Sequence, residues 1–270
     1  MTVTRRRFGR NGYAWYMNGV KVPGVTQVTR MLPSQNLIDW AANTTADYAI
    51  DHLKQLTEMA PSVALNTLKR ARYEVTDPAK RRGTEVHKIA EPAIRGEPVR
   101  MDLVPLELRG YVEAYMDFLD AVNPAPVAVE LPIGSKKHRY CGQTDLIADL
   151  PPVSWDGQVL PADRWLLDLK TGEKGVYPEA ALQLCGYQHG DLFVPPEDPG
   201  EERPLEWLKI GRCGVVHLSS DAWELRPVET GPEVWKFFQY LLWMHKKQDA
   251  MKQWIGSPIE PIAAELAEVL

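Results

Sequence analysis

An aspartate and a lysine two residues apart interrupt an otherwise apolar run, Trp165-Leu166-Leu167-Asp168-Leu169-Lys170, which Gly172 closes. The run reads as a buried strand. Side chains alternate faces along a strand, so Asp168 and Lys170 point the same way, about 7 Å apart along the chain. A carboxylate and an ammonium there are costly to bury unless they are paired or bound to a metal. Alone, the two read as a surface salt bridge at a strand end. Three further segments change that balance: Gly83-Thr84-Glu85-Val86-His87, Gly142-Gln143-Thr144-Asp145 and Gln183-Leu184-Cys185-Gly186-Tyr187. Together the four supply one imidazole, two carboxylates and one ammonium, the groups that a divalent cation and a phosphodiester require.

The elements that must carry these groups can be read in turn. Asp145 falls on a strand over Tyr140–Leu150. A second strand, Val127–Ile133, precedes it, and the polar stretch Gly134–Arg139 joins the two as a hairpin. Gly142 marks a place where another backbone or a ligand approaches closely. Asp149, near the strand end, reads as solvent-facing. His87 falls on a helix for which Asp77 is the expected N-cap, Pro78 the first residue and Gly96 the stop. Val86, Ile89, Ala90 and Ala93 form its packing stripe. Glu91 lies one turn beyond His87 on the same face. Two readings follow: a core-edge histidine bonded to Glu91, or a metal ligand that Glu91 orients. Gln183 and Tyr187 share a face of a helix opened by Pro178 and running to about Leu192. They read either as a solvated glutamine beside a half-buried tyrosine, or as a polar pair that grips substrate or orients Lys170.

As a set, Gly83 with His87, Gly142 with Asp145, Asp168 with Lys170, and Gln183 with Tyr187 resemble the motifs of the PD-(D/E)XK nuclease superfamily. The likeness is to its RecB-like branch, which includes phage exonucleases and CRISPR-associated nucleases, and it spans residues 80–190. The stretch Pro23-Gly24-Val25-Thr26 and then Leu37-Ile38-Asp39-Trp40-Ala41-Ala42 is similar to the helical lead-in of phage members. The resemblance implies an α/β fold, with a central mixed β-sheet flanked by helices (a restriction-endonuclease-like core) and a helical N-terminal cap. It implies Mg²⁺ or Mn²⁺ held by His87, Asp145, Asp168 and the main-chain carbonyl of Leu169. Hard oxygen donors suit those ions, and one imidazole does not exclude them. Asp145, Asp168, Lys170, Gln183 and Tyr187 would be the catalytic set. Lys170 would position water or stabilise developing charge, while Gln183 and Tyr187 would align the scissile strand. The products would carry 5′-phosphates. Some relatives hold an iron–sulfur cluster on four cysteines. This chain has three, Cys141, Cys185 and Cys213, with no Cys-x-x-Cys pair, so no iron–sulfur cluster is expected.

Composition bounds the rest. The 270 residues, 44% of them hydrophobic, are enough for one large domain or for one domain with an appended part. We expect a strand and helical lead-in over 1–76 packed on the core, the nuclease core over 77–256, and an acidic tail over 257–270. A long amphipathic helix is expected over Pro105–Val122, with Leu108, Tyr111, Val112, Tyr115, Phe118, Leu119 and Val122 as its stripe. No apolar run matches a signal peptide or a membrane span, and the unpatterned cysteines fit a reducing compartment. The expectation is a cytoplasmic enzyme (host-cell cytoplasm if phage-encoded) with no membrane partner.

The net charge of −5 would argue against a polyanionic substrate, but the charge is uneven. Residues 1–100 hold 16 Lys or Arg against 9 Asp or Glu, a net of +7, while residues 101–270 hold 15 against 27, a net of −12. The basic residues cluster at Arg5-Arg6-Arg7 with Arg10, at Lys69-Arg70 with Arg72, at Lys80-Arg81-Arg82, and at Lys136, Lys137 and Arg139. At least one cluster reads as a solvated face. The sharper expectation is that Lys80, Arg81, Arg82, Lys136, Lys137 and Arg139 form a phosphate-contacting lip. Three functions stay open: an exonuclease acting on DNA ends in phage-type recombination or replication, a structure- or site-specific endonuclease on the same core, and a catalytically silent DNA-binding adaptor. The partner in each case is DNA, single- or double-stranded, with a recombinase or single-strand-binding protein as a further candidate.

Overall fold

The structure is a computed structural model and describes residues 3–8, 12–32, 35–173 and 175–259. Arg10 and the tail beyond residue 259 lie outside the described residues. Strands β1 (Val3–Phe8), β2 (Gly12–Met17) and β3 (Val20–Val22) form an antiparallel sheet. Helices α1 (Val25–Thr29), α2 (Gln35–Asp51), α3 (Leu53–Glu58), α4 (Pro61–Ile94) and α5 (Leu106–Val122) follow. The chain then forms β4 (Ala125–Ser135), β5 (Tyr140–Leu150), a small hairpin of β6 (Val153–Trp155) and β7 (Gln158–Leu160), and β8 (Asp163–Thr171). Helix α6 (Glu179–Gln188), β9 (Leu192–Phe193), β10 (Arg203–Pro204), β11 (Arg212–Leu218), β12 (Trp223–Val228) and α7 (Pro232–Met251) complete it.

Seven strands form one mixed sheet in the order β10-β9-β4-β5-β8-β11-β12. Its β8–β11 pair is parallel, which requires a crossover, and α6 lies within that connection. Helices cover both faces. One face buries Val86, Ala90, Tyr111, Tyr115 and Phe118 from α4 and α5 against the sheet. The other buries Val25, Leu184, Tyr187 and Phe238 from α1, α6 and α7. The architecture is the α/β fold with a central mixed sheet that the sequence led us to expect. Helix α5 also follows its sequence: Pro105 precedes the first turn, Asn123 ends it in the left-handed region, and the stripe is buried apart from half-buried Leu119. The β1–β3 sheet packs on the core through Val3, Trp15, Met17 and Val22 against Cys141, Leu192 and Val194.

Two boundaries are corrected. The helix expected to run to about Leu192 ends at Gln188, and Leu192 begins β9. The helix that carries His87 does not begin at Asp77 and Pro78 but at Pro61, and it runs through Pro78 and Pro92. An internal proline forfeits one ladder hydrogen bond and crowds the carbonyl four residues back. Here the helix persists, packed against α2 and α5. Among the described residues no helix is long and apolar enough to cross a membrane.

Candidate metal centre

The centre forms where the β5–β8 ladder stops. The two strands pair from Leu150 opposite Asp163 to Leu146 opposite Leu167. One more rung would set Asp145 against Asp168. Instead the strands part, and the Leu169 N–H donates to Asp145 Oδ2 at 2.7 Å. A fork of this kind exposes main-chain groups to side-chain chemistry while both strands stay anchored in the core.

Helix α4 brings its histidine to that fork. Gly83 faces β8, where a Cβ would make an ordinary contact with Thr171 Oγ1 at 3.4 Å. Four residues on, His87 Nε2 lies 3.0 Å from the Leu169 carbonyl oxygen, and its Nδ1 lies 3.7 Å from Asp145 Oδ1. The expectation that Glu91 orients His87 is therefore corrected. Glu91 instead faces Arg95 at 3.5 Å, because i,i+4 spacing offers it a cation on its own helix. The orienting partner of His87 is the strand carbonyl.

Asp168 and Lys170 share a face, as alternation requires, and form an ion pair of 2.5 Å. Asp168 is 1% exposed. Burial raises its pKa, with Lys170 opposing and Asp145 adding to the rise. Burial works against the Lys170 ammonium too, but Asp168 and Asp145 outweigh it, and the lysine stays charged. The other Asp168 oxygen accepts from Gln183 Nε2 at 2.9 Å. Gln183 Nε2 also lies 3.4 Å from the Tyr187 hydroxyl. Tyr187 is 2% exposed, wedged where a Cβ on Gly142 would come within 2.4 Å of its ring. Tyr187 thus does not align a substrate strand by contact, as the sequence suggested. The close approach that Gly142 permits seals it inside, and it acts through Gln183 on Asp168.

A carboxylate that sequence reading missed completes the arrangement. Val129 pairs with Leu146 and Leu131 with Thr144, so Glu130 stands opposite Asp145. One ligand atom each from His87, Glu130 and Asp145 lies within 4.8 Å of the others. Glu130, Asp145 and Asp168 therefore form a row across β4, β5 and β8. Glu130 has φ 54°, a conformation that costs a non-glycine residue about 1–2 kcal/mol. The pleat inverts at this point. Val129 and Leu146 join the core under α4 and α5, whereas Leu131, Ile133 and Tyr140 join the opposite one. Burial and the charge of Asp145 raise the Glu130 carboxyl to about 7, with His87 and Arg5 opposing. Its signal in the sequence is a single acidic residue inside the apolar run Val127–Ile133.

The His87 imidazole, the Glu130 and Asp145 carboxylates and the neighbouring Leu169 carbonyl fit a divalent cation with a preference for oxygen ligands. His87, Asp145 and the Leu169 carbonyl already converge. Asp168 lies alongside with its oxygens turned to Lys170 and Gln183. The thiols do not compete, since burial pushes Cys141, Cys185 and Cys213 each up to about 12. The expected basic lip is only partly gathered. Lys80 lies two helical turns before His87 on the same stripe, about 10 Å away, and Arg81 is exposed. Arg82 is half-buried with its guanidinium 4.8 Å from the Tyr111 ring. The hairpin-loop cluster is corrected. Arg139 stands about 20 Å along β5 from Asp145, and Lys136 is paired with Glu202 at 2.7 Å. A fully extended β4–β5 hairpin carries Lys136, Lys137 and Arg139 away from the centre.

No family model and no curated protein matches the chain. Among solved structures, the crystal structure of SSO0001 is similar at 13% identity and a TM-score of 0.28, over 57% of this chain and 64% of that one. The chain therefore spans less than two thirds of that protein's length. At this TM-score the likeness informs neither the fold nor the chemistry.

Proposed function

We propose that this protein is a metal-dependent deoxyribonuclease of the PD-(D/E)XK, RecB-like type, which hydrolyses phosphodiester bonds at DNA ends in phage-type recombination or replication. The observation that carries this reading is the fork. Asp145 and Asp168 follow the last rung on the two parted strands, with His87 and the Leu169 carbonyl beside the first and Lys170 beside the second. His87, Asp145, Asp168 and the Leu169 carbonyl would hold Mg²⁺ or Mn²⁺, with Glu130 in reach. The cation supplies Lewis-acid polarisation of the phosphodiester and a lowered pKa for water.

The chain's own residues do the rest. Lys170 keeps its proton beside two carboxylates and offers a cation to charge that develops on the phosphate. Electrostatic help of that kind is worth about 3–4 kcal/mol, or roughly 10²–10³ in rate. Gln183, braced by buried Tyr187, fixes the Asp168 carboxylate and through it the lysine. A recombinase or single-strand-binding protein is a candidate partner for this role.

The test is digestion of end-labelled linear DNA and covalently closed circular DNA with Mg²⁺, Mn²⁺ or EDTA. We expect metal-dependent loss of linear DNA alone. Cutting of the closed circle would replace the exonuclease reading with an endonuclease on the same core. Cation binding without cleavage of either would leave a DNA-binding adaptor.

A further inference from the structure

The β1–β3 sheet is more than a lid on the core. Its anchored end is apolar, but its far end carries arginines on aromatic rings. Arg5 pairs with Trp15 and Arg7 with Tyr13 across β1 and β2, so Arg5 and Tyr13 lie on one face. The Arg5 guanidinium sits 3.9 Å from the Tyr13 ring centroid and 5.8 Å from that of Trp15. On the opposite face, Arg6 sits 4.9 Å from the Tyr16 ring. Tyr13 is 53% exposed, and Arg5 and Arg6 are exposed.

This end of the hairpin reaches the metal centre. Arg5 donates to the Gln143 side-chain oxygen. The Gln143 amide donates to Glu130 Oε2 at 2.6 Å and to the Glu130 carbonyl at 3.1 Å. Glu130 in turn stands beside His87 and Asp145. A stacked guanidinium therefore stands one side chain away from the carboxylates, on a segment tied to β5 through the Cys141 N–H and the Pro23 carbonyl.

We propose that this end of the β1–β2 hairpin binds an unpaired DNA strand as it enters the metal centre, with Arg5 on a phosphate and the exposed Tyr13 ring against a base. The inference rests on the nuclease reading for its location, and on the hairpin's own geometry for its chemistry. A guanidinium held flat on a ring is pre-organised for phosphate and loses little freedom on binding it. Aromatic rings interleaved with cations form a sequence-tolerant platform for single strands, since every base has a face to stack once it is unpaired. A duplex keeps its bases stacked on one another and would use only the charge.

The experiment is fluorescence anisotropy of the full chain with labelled oligo(dT) and with blunt duplex, in EDTA, over a range of salt. We expect Tyr13→Ala to weaken oligo(dT) binding roughly tenfold, the loss of about one stacking contact, and Arg5→Gln to weaken it by a similar factor through the loss of a phosphate contact. Arg5→Gln should lower the log–log salt slope on oligo(dT) by about 0.7, one phosphate contact. Arg5→Lys should keep the slope but bind more weakly, which a merely structural role for Arg5 would not produce. Unchanged affinity and slope in Arg5→Gln would overturn the proposal, as would a Tyr13→Ala loss as large on duplex as on oligo(dT). Metal-dependent cleavage by the wild type is scored separately. If it is present while Arg5→Gln binds normally, only this inference falls. If it is absent while the variants lose binding, the nuclease reading falls and the strand-binding surface stands.

Discussion

Replacing Glu130 with glutamine should make the metal-free protein more stable, and more so at higher pH. The folded carboxyl holds its proton up to about 7 against an ordinary value of 4.5. A difference of that size is worth about 3 kcal/mol against the ionised form. Glu130 is half-buried, so water screens part of the penalty, and about 2 kcal/mol is the working figure. The sign follows from proton counting. Between the two values the folded state binds the proton and the unfolded chain does not, so stability falls as pH rises. The penalty is absent well below 4.5 and complete above about 7. Glutamine keeps the shape and removes the charge. Urea unfolding in EDTA should show Glu130→Gln gaining about 2 kcal/mol over wild type near pH 8, and under about 1 kcal/mol near pH 5. Comparing variant with wild type at each pH cancels the other titrating groups. An equal difference at both pH values, or a variant less stable near pH 8, would refute the reasoning. A carboxylate kept at such a cost fits a site built to receive a cation.

Further outcomes follow from the same geometry. Lys170→Ala should cut turnover by roughly 10²–10³ while DNA affinity stays within a few-fold, read from single-turnover cleavage and anisotropy; equal losses in both would make Lys170 a binding residue. Gly142→Ala should cost about 1–3 kcal/mol, since its Cβ would meet the Tyr187 ring at 2.4 Å; urea unfolding with no change would mean that the ring moves freely aside. Tyr187→Phe should lower turnover less than tenfold without changing KM for DNA, because the hydroxyl lies behind Gln183; a rise in KM alone would return Tyr187 to substrate contact.

The fold was legible wherever one local rule governed it. The face shared by Asp168 and Lys170 follows from strand alternation, and the α5 stripe from helical spacing. Gly142 announced a close approach, although the group that approaches is Tyr187 and not a ligand. What was not legible depends on register or competition between partners. Glu130 enters the centre because β4 pairs with β5 in one register and because its own backbone turns left-handed, which reverses the pleat. Neither fact is written in Val127–Ile133. Glu91 was given to His87 by spacing alone, but Arg95 at the same spacing and the Leu169 carbonyl across the fork divide the two. The start of α4 was misplaced because Pro78, a fitting first residue for a helix, here lies within one. The basic clusters were read by composition, which cannot say that an extended hairpin holds Arg139 far from Asp145.

The central claim is that His87, Asp145, Asp168 and the Leu169 carbonyl hold one divalent cation. Electron paramagnetic resonance of a Mn²⁺ titration into the full chain, wild type against Asp145→Ala, tests it most directly. The account predicts saturable uptake of Mn²⁺ by wild type and loss of that uptake in Asp145→Ala, with the variant's circular dichroism unchanged. Uptake undiminished in Asp145→Ala, or none in wild type, would contradict it.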